Sequence, residues 1–153
     1  MPIDINSILD GVVSHAMASG WFEKVNQHEP KNAPGSGLTA AVWLQQLDPV
    51  SRRSGLNSTT GKLTFQLRIY QNMLSQPEDA IDPRMIQAAD ALFAAFSGDF
   101  TLGDTVAAVD LLGLSDGVPL SGRAGYLNQD GKIFRIFDIT IPLIVNDLWT
   151  QAA

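Results

Sequence analysis

The sequence predicts an α+β fold, a mixed and mostly antiparallel β-sheet packed against two α-helices. Two stretches repeat apolar residues at helical spacing, several others alternate or run apolar over strand length, and their order is helix, strands, helix, strands. The chain has 153 residues, 45% apolar and 17% charged, which suits a single domain spanning 1–153 with its own core.

Residues 4–19 place Ile5, Ile8, Leu9, Val12, Val13, Ala16 and Met17 on one helical stripe, with Asp4 or Asn6 to cap the start and Gly20 the end. Gly11 inside that helix predicts close approach of a neighbour. Trp21 to Val25 reads as a short strand, and NQHEPKNAPGSG then breaks regular structure with its prolines and glycines. Leu38 to Leu47 reads as a buried strand. DPVSRRSGLNSTTG, residues 48–61, is turn chemistry throughout and predicts a long loop at the tip of an antiparallel hairpin. Its second strand, Leu63 to Met73, alternates most clearly. Leu63, Phe65, Leu67 and Ile69 point to a core, while Thr64, Gln66, Arg68, Tyr70 and Asn72 point to water or a partner.

The second helix is expected to have Asp82 as N-cap, Pro83 at its first position, an apolar face of Met85, Ile86, Ala89, Leu92, Phe93 and Phe96, and Gly98 as its stop. Val106 to Leu112 is a short apolar strand. Arg123 to Leu127 and Lys132 to Ile141 then flank NQDG, a sequence suited to a hairpin turn.

KIFRIFDITIPLIVND, residues 132–147, is apolar on both faces and interrupted by Pro142. A strand buried on both faces belongs in the middle of a sheet, where proline removes a ladder donor. The expectation is that the chain leaves the sheet or follows an edge at Pro142. Residues 142–153 would then form an arm exposing Ile144, Leu148 and Trp149, with 146–153 either helical or extended.

The chemistry-bearing residues are sparse. There is no cysteine, so disulfides, thiolate nucleophiles and cysteine metal sites are excluded. His15 and His28 are far apart and read as solvated or hydrogen-bonded residues rather than a metal pair or base. Asp79, Asp82, Asp99, Asp104 and Asp110 lack the spacing of a calcium loop or a paired acid and base, and read as caps and turns. No phosphate-cradling glycine motif or nucleophile elbow is present, and GDFTLGD at 98–104 reads as a turn. The sequence therefore predicts no catalytic residue, no metal and no cofactor. The net charge is −6 and the only adjacent basic pair is Arg52-Arg53, which disfavours tight binding to nucleic acid phosphates. With no long apolar run, and with MPIDINSILD lacking the basic flank of a secretory signal, the chain is expected to be soluble and made in a cytoplasm.

Four segments taken in order, GLTAAVWLQQLDPV (37–50), KLTFQLRIYQNML (62–74), AADALFAAFSGDFTLGD (88–104) and AGYLNQDGKIFRIFDITIPLIVNDLW (124–149), resemble the tail terminator family of long-tailed, siphovirus-type phages of actinobacteria, similar in architecture to the terminator of phage lambda. The resemblance implies a mixed sheet with two helices and a homohexameric ring at the head-proximal end of the tail tube. Such a ring stops tube polymerisation and forms the head-tail joining surface. The implied partners are other copies of the chain, the major tail tube protein and the head-tail connector or stopper. The resemblance further implies that DNA passes through the lumen without specific binding and that assembly occurs in the host cytoplasm.

Cyclic rings use heterologous interfaces, so two different patches of one subunit can both be apolar. Three regions are candidates. The 48–61 loop with Arg52 and Arg53 either contacts a neighbour or is a plain hairpin tip. The 63–73 strand face with Gln66, Arg68 and Tyr70 is either a contact or a solvated face. Ile144, Leu148 and Trp149 either bind a neighbour or anchor on their own domain. A head-tail stopper or adaptor, another minor tail protein, and a small ligand-binding or enzymatic α+β domain are the competing readings.

Overall fold

The computed structural model describes residues 4–22, 24–26, 38–50, 58–72, 81–103, 105–113, 119–129 and 131–150. Helix α1 spans Ile5–Ala18, and Asp4 caps it: its carboxylate accepts the Ser7 backbone N–H at 3.3 Å and the Ser7 hydroxyl at 2.7 Å. Ile8, Val12, Val13 and Ala16 are buried, whereas Met17 is exposed, so the buried stripe is narrower than the periodicity suggested. Gly11 does admit a neighbour, since a Cβ there would lie 3.5 Å from that of Leu102.

Strand β1 (Lys24–Asn26) pairs in parallel with β2 (Thr39–Pro49), which pairs antiparallel with β3 (Ser58–Asn72). The hairpin is as expected, but both of its strands run into the stretch read as loop, with Asp48 opposite Lys62 and Pro49 opposite Gly61. Gly61 is not a turn residue. A Cβ there would come within 2.7 Å of Leu148 and 3.2 Å of Trp149, so glycine is present to let those side chains cross the strand.

Helix α2 spans Ile81–Gly98, so Asp82 lies in its first turn rather than capping it, and Pro83 is not the first helical residue. Its buried residues are Ile81, Met85, Ala88, Ala89, Leu92 and Phe96, while Ile86, expected on the apolar face, is exposed. The expected strand at 106–112 reduces to β4 (Ala108–Val109). Strands β5 (Ser121–Gln129) and β6 (Lys132–Thr150) form the hairpin, with Gln129 opposite Lys132 and Gly131 at φ +76°.

The six strands form one sheet in the order β1-β2-β3-β6-β4, with β5 also on β6. Since β3 occupies one side of β6 along its length, β4 and β5 share the other side, β5 against 132–140 and β4 against 143–144. The expectation of an arm from Pro142 is therefore corrected, because β6 continues in register with β3 from Pro142 to Val145 and again at Trp149 and Thr150.

Proline is tolerated for a local reason. The Asp110 N–H donates to the Pro142 carbonyl at 2.9 Å, so that carbonyl points away from β3. In an extended strand a residue's nitrogen lies on the same side as its carbonyl. The missing donor of Pro142 thus faces the interval between the end of β5, where Ser121 pairs with Thr140, and the start of β4, where Val109 pairs with Leu143. No partner strand needs it there.

The two apolar faces of β6 serve two clusters. Ile139, Ile141 and Leu143 share the main core with Leu63, Phe65, Leu67 and Ile69 of β3 and the buried residues of α1 and α2. Phe134 and Ile136 turn to the opposite face, where they pack with Ala41 and Tyr70 and, at the margin, Trp43 and Leu127.

Candidate interaction surfaces

Directly opposed residues in antiparallel strands share a face. On the face away from the main core this brings Arg68 of β3 opposite Asp138 of β6, and Asp138 opposite Arg123 of β5. Arg68 and Asp138 form a two-pronged ion pair, Nε to Oδ1 at 2.6 Å and Nη2 to Oδ2 at 3.1 Å. The Arg68 guanidinium also lies 5.4 Å from the Trp43 ring centre. Its pKa is raised, first by the hydrogen bond to Asp138, against an opposing desolvation effect. Arg123 is exposed and has no ion pair among the described residues.

Along the same face lies a cleft of about 440 Å³ lined by Gln45, Gln46, Asp48, Pro49, Lys62, Thr64 and Thr140. Lys62 is buried beside it, with Nζ 3.5 Å from Oδ2 of the equally buried Asp110. Among the described residues, no group of three or more His, Asp or Glu side chains could hold a metal, and no helix is long and apolar enough to cross a membrane.

At the other end of the core, His15 Nε2 lies 3.0 Å from Asp99 Oδ2 and its ring meets Phe96 edge-on at 5.4 Å. Asp99 also accepts the Gly103 N–H at 3.1 Å. This tie joins α1 to the turn after α2, which makes His15 a structural residue. The Gly103 N–H foremost, then His15, hold the Asp99 pKa below its ordinary value of 3.8. A depressed carboxylate contributes stability above its unfolded pKa and loses that contribution as pH falls through the folded value. Asp99→Asn is therefore expected to flatten the decline of thermal stability below about pH 4. Melting curves of both proteins across the acid range check this, and parallel declines would exclude the effect.

Between the sheet and α2, Arg135 of β6 donates to Asp82 at 2.9 Å and to the Gly125 carbonyl at 3.2 Å, and stacks 4.5 Å from the Tyr126 ring centre. It ties the start of α2 to β5. Beside it a notch of about 70 Å³ is lined by Met85, Ile86, Ala124 and Phe137 together with Asp82 and Arg135.

The residues expected to make contacts are placed unevenly. Arg52 and Arg53 lie outside the described residues. Gln66 and Tyr70, expected on a presented face, are buried at 8% and 2% exposure, Tyr70 within the second apolar cluster on that face. Only Arg68 of the three keeps partial exposure. Ile144 and Leu148 are buried by their place in β6, and Trp149 alone of the three retains an exposed surface. His28 and Asp104 also lie outside the described residues. Sequence reasoning missed the Arg68–Asp138–Arg123 row, whose only signal was a charged residue on the off-core alternation of each strand.

No family model matches this sequence, and no curated protein matches it. Among solved structures, a sheath/tube terminator of an extracellular contractile injection system in its extended state is similar at 13% identity and TM-score 0.46, over 100% of this chain and 60% of that one. A chain of a native gene transfer agent virion is similar at 16% identity and TM-score 0.38, over 89% of this chain and 92% of that one. The chain thus spans about 60% of the length of the first of these proteins.

Proposed function

We propose that this chain is a structural subunit of a phage tail, a terminator that forms a homohexameric ring on the head-proximal end of the tail tube. In this reading the ring stops polymerisation of the major tail tube protein, presents the joining surface for the connector or stopper, and lets DNA through without binding it specifically. The supporting observation is where the four resembling segments fall. In order they are β2, β3, the second half of α2 with its following turn, and the β5–β6 hairpin, which together are most of one sheet and its cover. Apolar side chains exposed on separate elements, Leu44 and Leu47 of β2, Ile133 and Trp149 of β6, and Phe100 after α2, suit the unlike patches of a cyclic interface.

Deletion of the gene from the genome that carries it, followed by electron microscopy of the particles, tests the reading. Overlong tails, or tails unjoined to heads, are expected. Complete virions with tails of normal length would overturn it. The polar cleft beside Lys62 is the observation that favours a second reading, a small ligand-binding domain, and normal virions would favour that one.

A further inference from the structure

Native sheets blunt their edges with short strands, prolines, bulges or charge, because an uncovered edge accepts another strand. Strand β5 has none of the first three. It is nine residues long, contains no proline, and keeps unbroken register with β6 from Ser121 to Gln129. Gly122, Arg123, Ala124, Tyr126 and Asn128 are exposed, and Arg123 is the only charged residue in the strand.

The direction of its free backbone groups follows from Pro142. The carbonyls of Pro142 and Ile144 point to the β4 side, accepting from Asp110 and Ala107. By alternation, Thr140, Asp138, Ile136 and Phe134 turn their backbone groups to β5, and their partners Ser121, Arg123, Gly125 and Leu127 turn theirs inward. The N–H and C=O groups of Gly122, Ala124, Tyr126 and Asn128 therefore point outward. Nothing among the described residues bonds to them.

We infer that β5 is a strand-addition site for an extended segment of a partner polypeptide that carries a carboxylate opposite Arg123 and small aliphatic side chains on its other face. The charge sequence across the sheet argues for the carboxylate. Arg68, Asp138 and Arg123 alternate in sign strand by strand, and the next position outward is the one that would neutralise the exposed Arg123. The aliphatic requirement comes from the opposite face, where the notch lined by Ile86, Ala124 and Phe137 has room for a short side chain from an added strand. Main-chain bonds supply affinity in this mode, and the two faces supply choice. The inference stands independently of any role in a tail.

The test uses the full chain, isotopically labelled, with a capped synthetic peptide alternating valine and threonine around one central glutamate. The amides of Gly122, Ala124, Tyr126 and Asn128 are expected to shift and to gain protection from hydrogen exchange. Replacing the glutamate by glutamine should weaken binding about two- to fivefold, the size of one cross-strand charge pair. Arg123→Glu should transfer the preference to the same peptide with lysine in place of glutamate. Ala124→Pro removes one outward N–H without touching an inward bond, so it should abolish binding while leaving the melting temperature close to that of the parent. Unmoved β5 amides, or undiminished binding to the Ala124→Pro protein, would overturn the proposal. Protection of the same amides that grows with protein concentration alone would overturn the foreign segment in favour of a second copy.

Discussion

Lys62→Met is expected to lower folding stability by about 3–5 kcal/mol, the range for breaking a buried ion pair from one side. The Lys62 and Asp110 side chains are only 4% and 6% exposed. The Asp110 backbone is held in place, its N–H donating to the Pro142 carbonyl and its own carbonyl accepting the Leu120 N–H. A methionine of similar length would fill the space of the lysine stem and leave the carboxylate in a poorly solvated position. For a domain whose total stability is roughly 5–15 kcal/mol, this is a loss of about a fifth or more. Urea denaturation measures it. The double variant Lys62→Met with Asp110→Leu should recover most of the loss, since apolar replacement of both partners removes the buried charge. Strictly additive effects would show that the two charges do not stabilise one another.

Gly122→Val is expected to cost roughly 2–3 kcal/mol by overpacking. A Cβ at Gly122 would overlap the ring of Phe137, three of whose atoms are its nearest neighbours. That ring packs against the main core and cannot simply swing away without uncovering it. Either the ring or β5 must move, and β5 is held on one side only. The amides of β5 should therefore exchange faster in the variant while those of β3 change less. Phe137→Leu in the same chain should restore part of the stability by making room. A Gly122→Val protein that melts with the parent would show that the ring does not lie over this glycine.

Much of this architecture was legible because periodicity reports burial. The spacing of Ile8, Val12 and Ala16, and of Met85, Ala89, Leu92 and Phe96, located both helices, and the alternation in Leu63 to Ile69 located the central strand. Polar residues were harder to place. Thr64, Gln66 and Tyr70 read as a face turned to water or a partner, yet all three are buried, Tyr70 within the second apolar cluster, and polarity alone does not reveal such burial. Gly61 read as a turn and Pro142 as a strand end because each residue type usually has that meaning. Here one admits Leu148 and Trp149, and the other faces an interval between two partner strands. Those are relations between distant segments, invisible to any local window. The row of Arg68, Asp138 and Arg123 was hidden for the same reason, since register decides which charges meet.

The position of β6 carries a consequence for how the protein is made. It is the last of the six strands in chain order, yet it lies between β3 and the β4 and β5 strands rather than at a margin. A ribosome delivers it after every other strand has emerged. Until then β3 has one bare side and β4 has nothing to pair with, while β5 waits only for its hairpin mate. Sheet closure joins residues such as Arg68 and Asp138, |i−j| = 70, a contact of the slow, long-range kind. The nascent chain therefore spends its synthesis with the inner side of its best strand open to misassociation, and the arrival of a single segment ends that exposure.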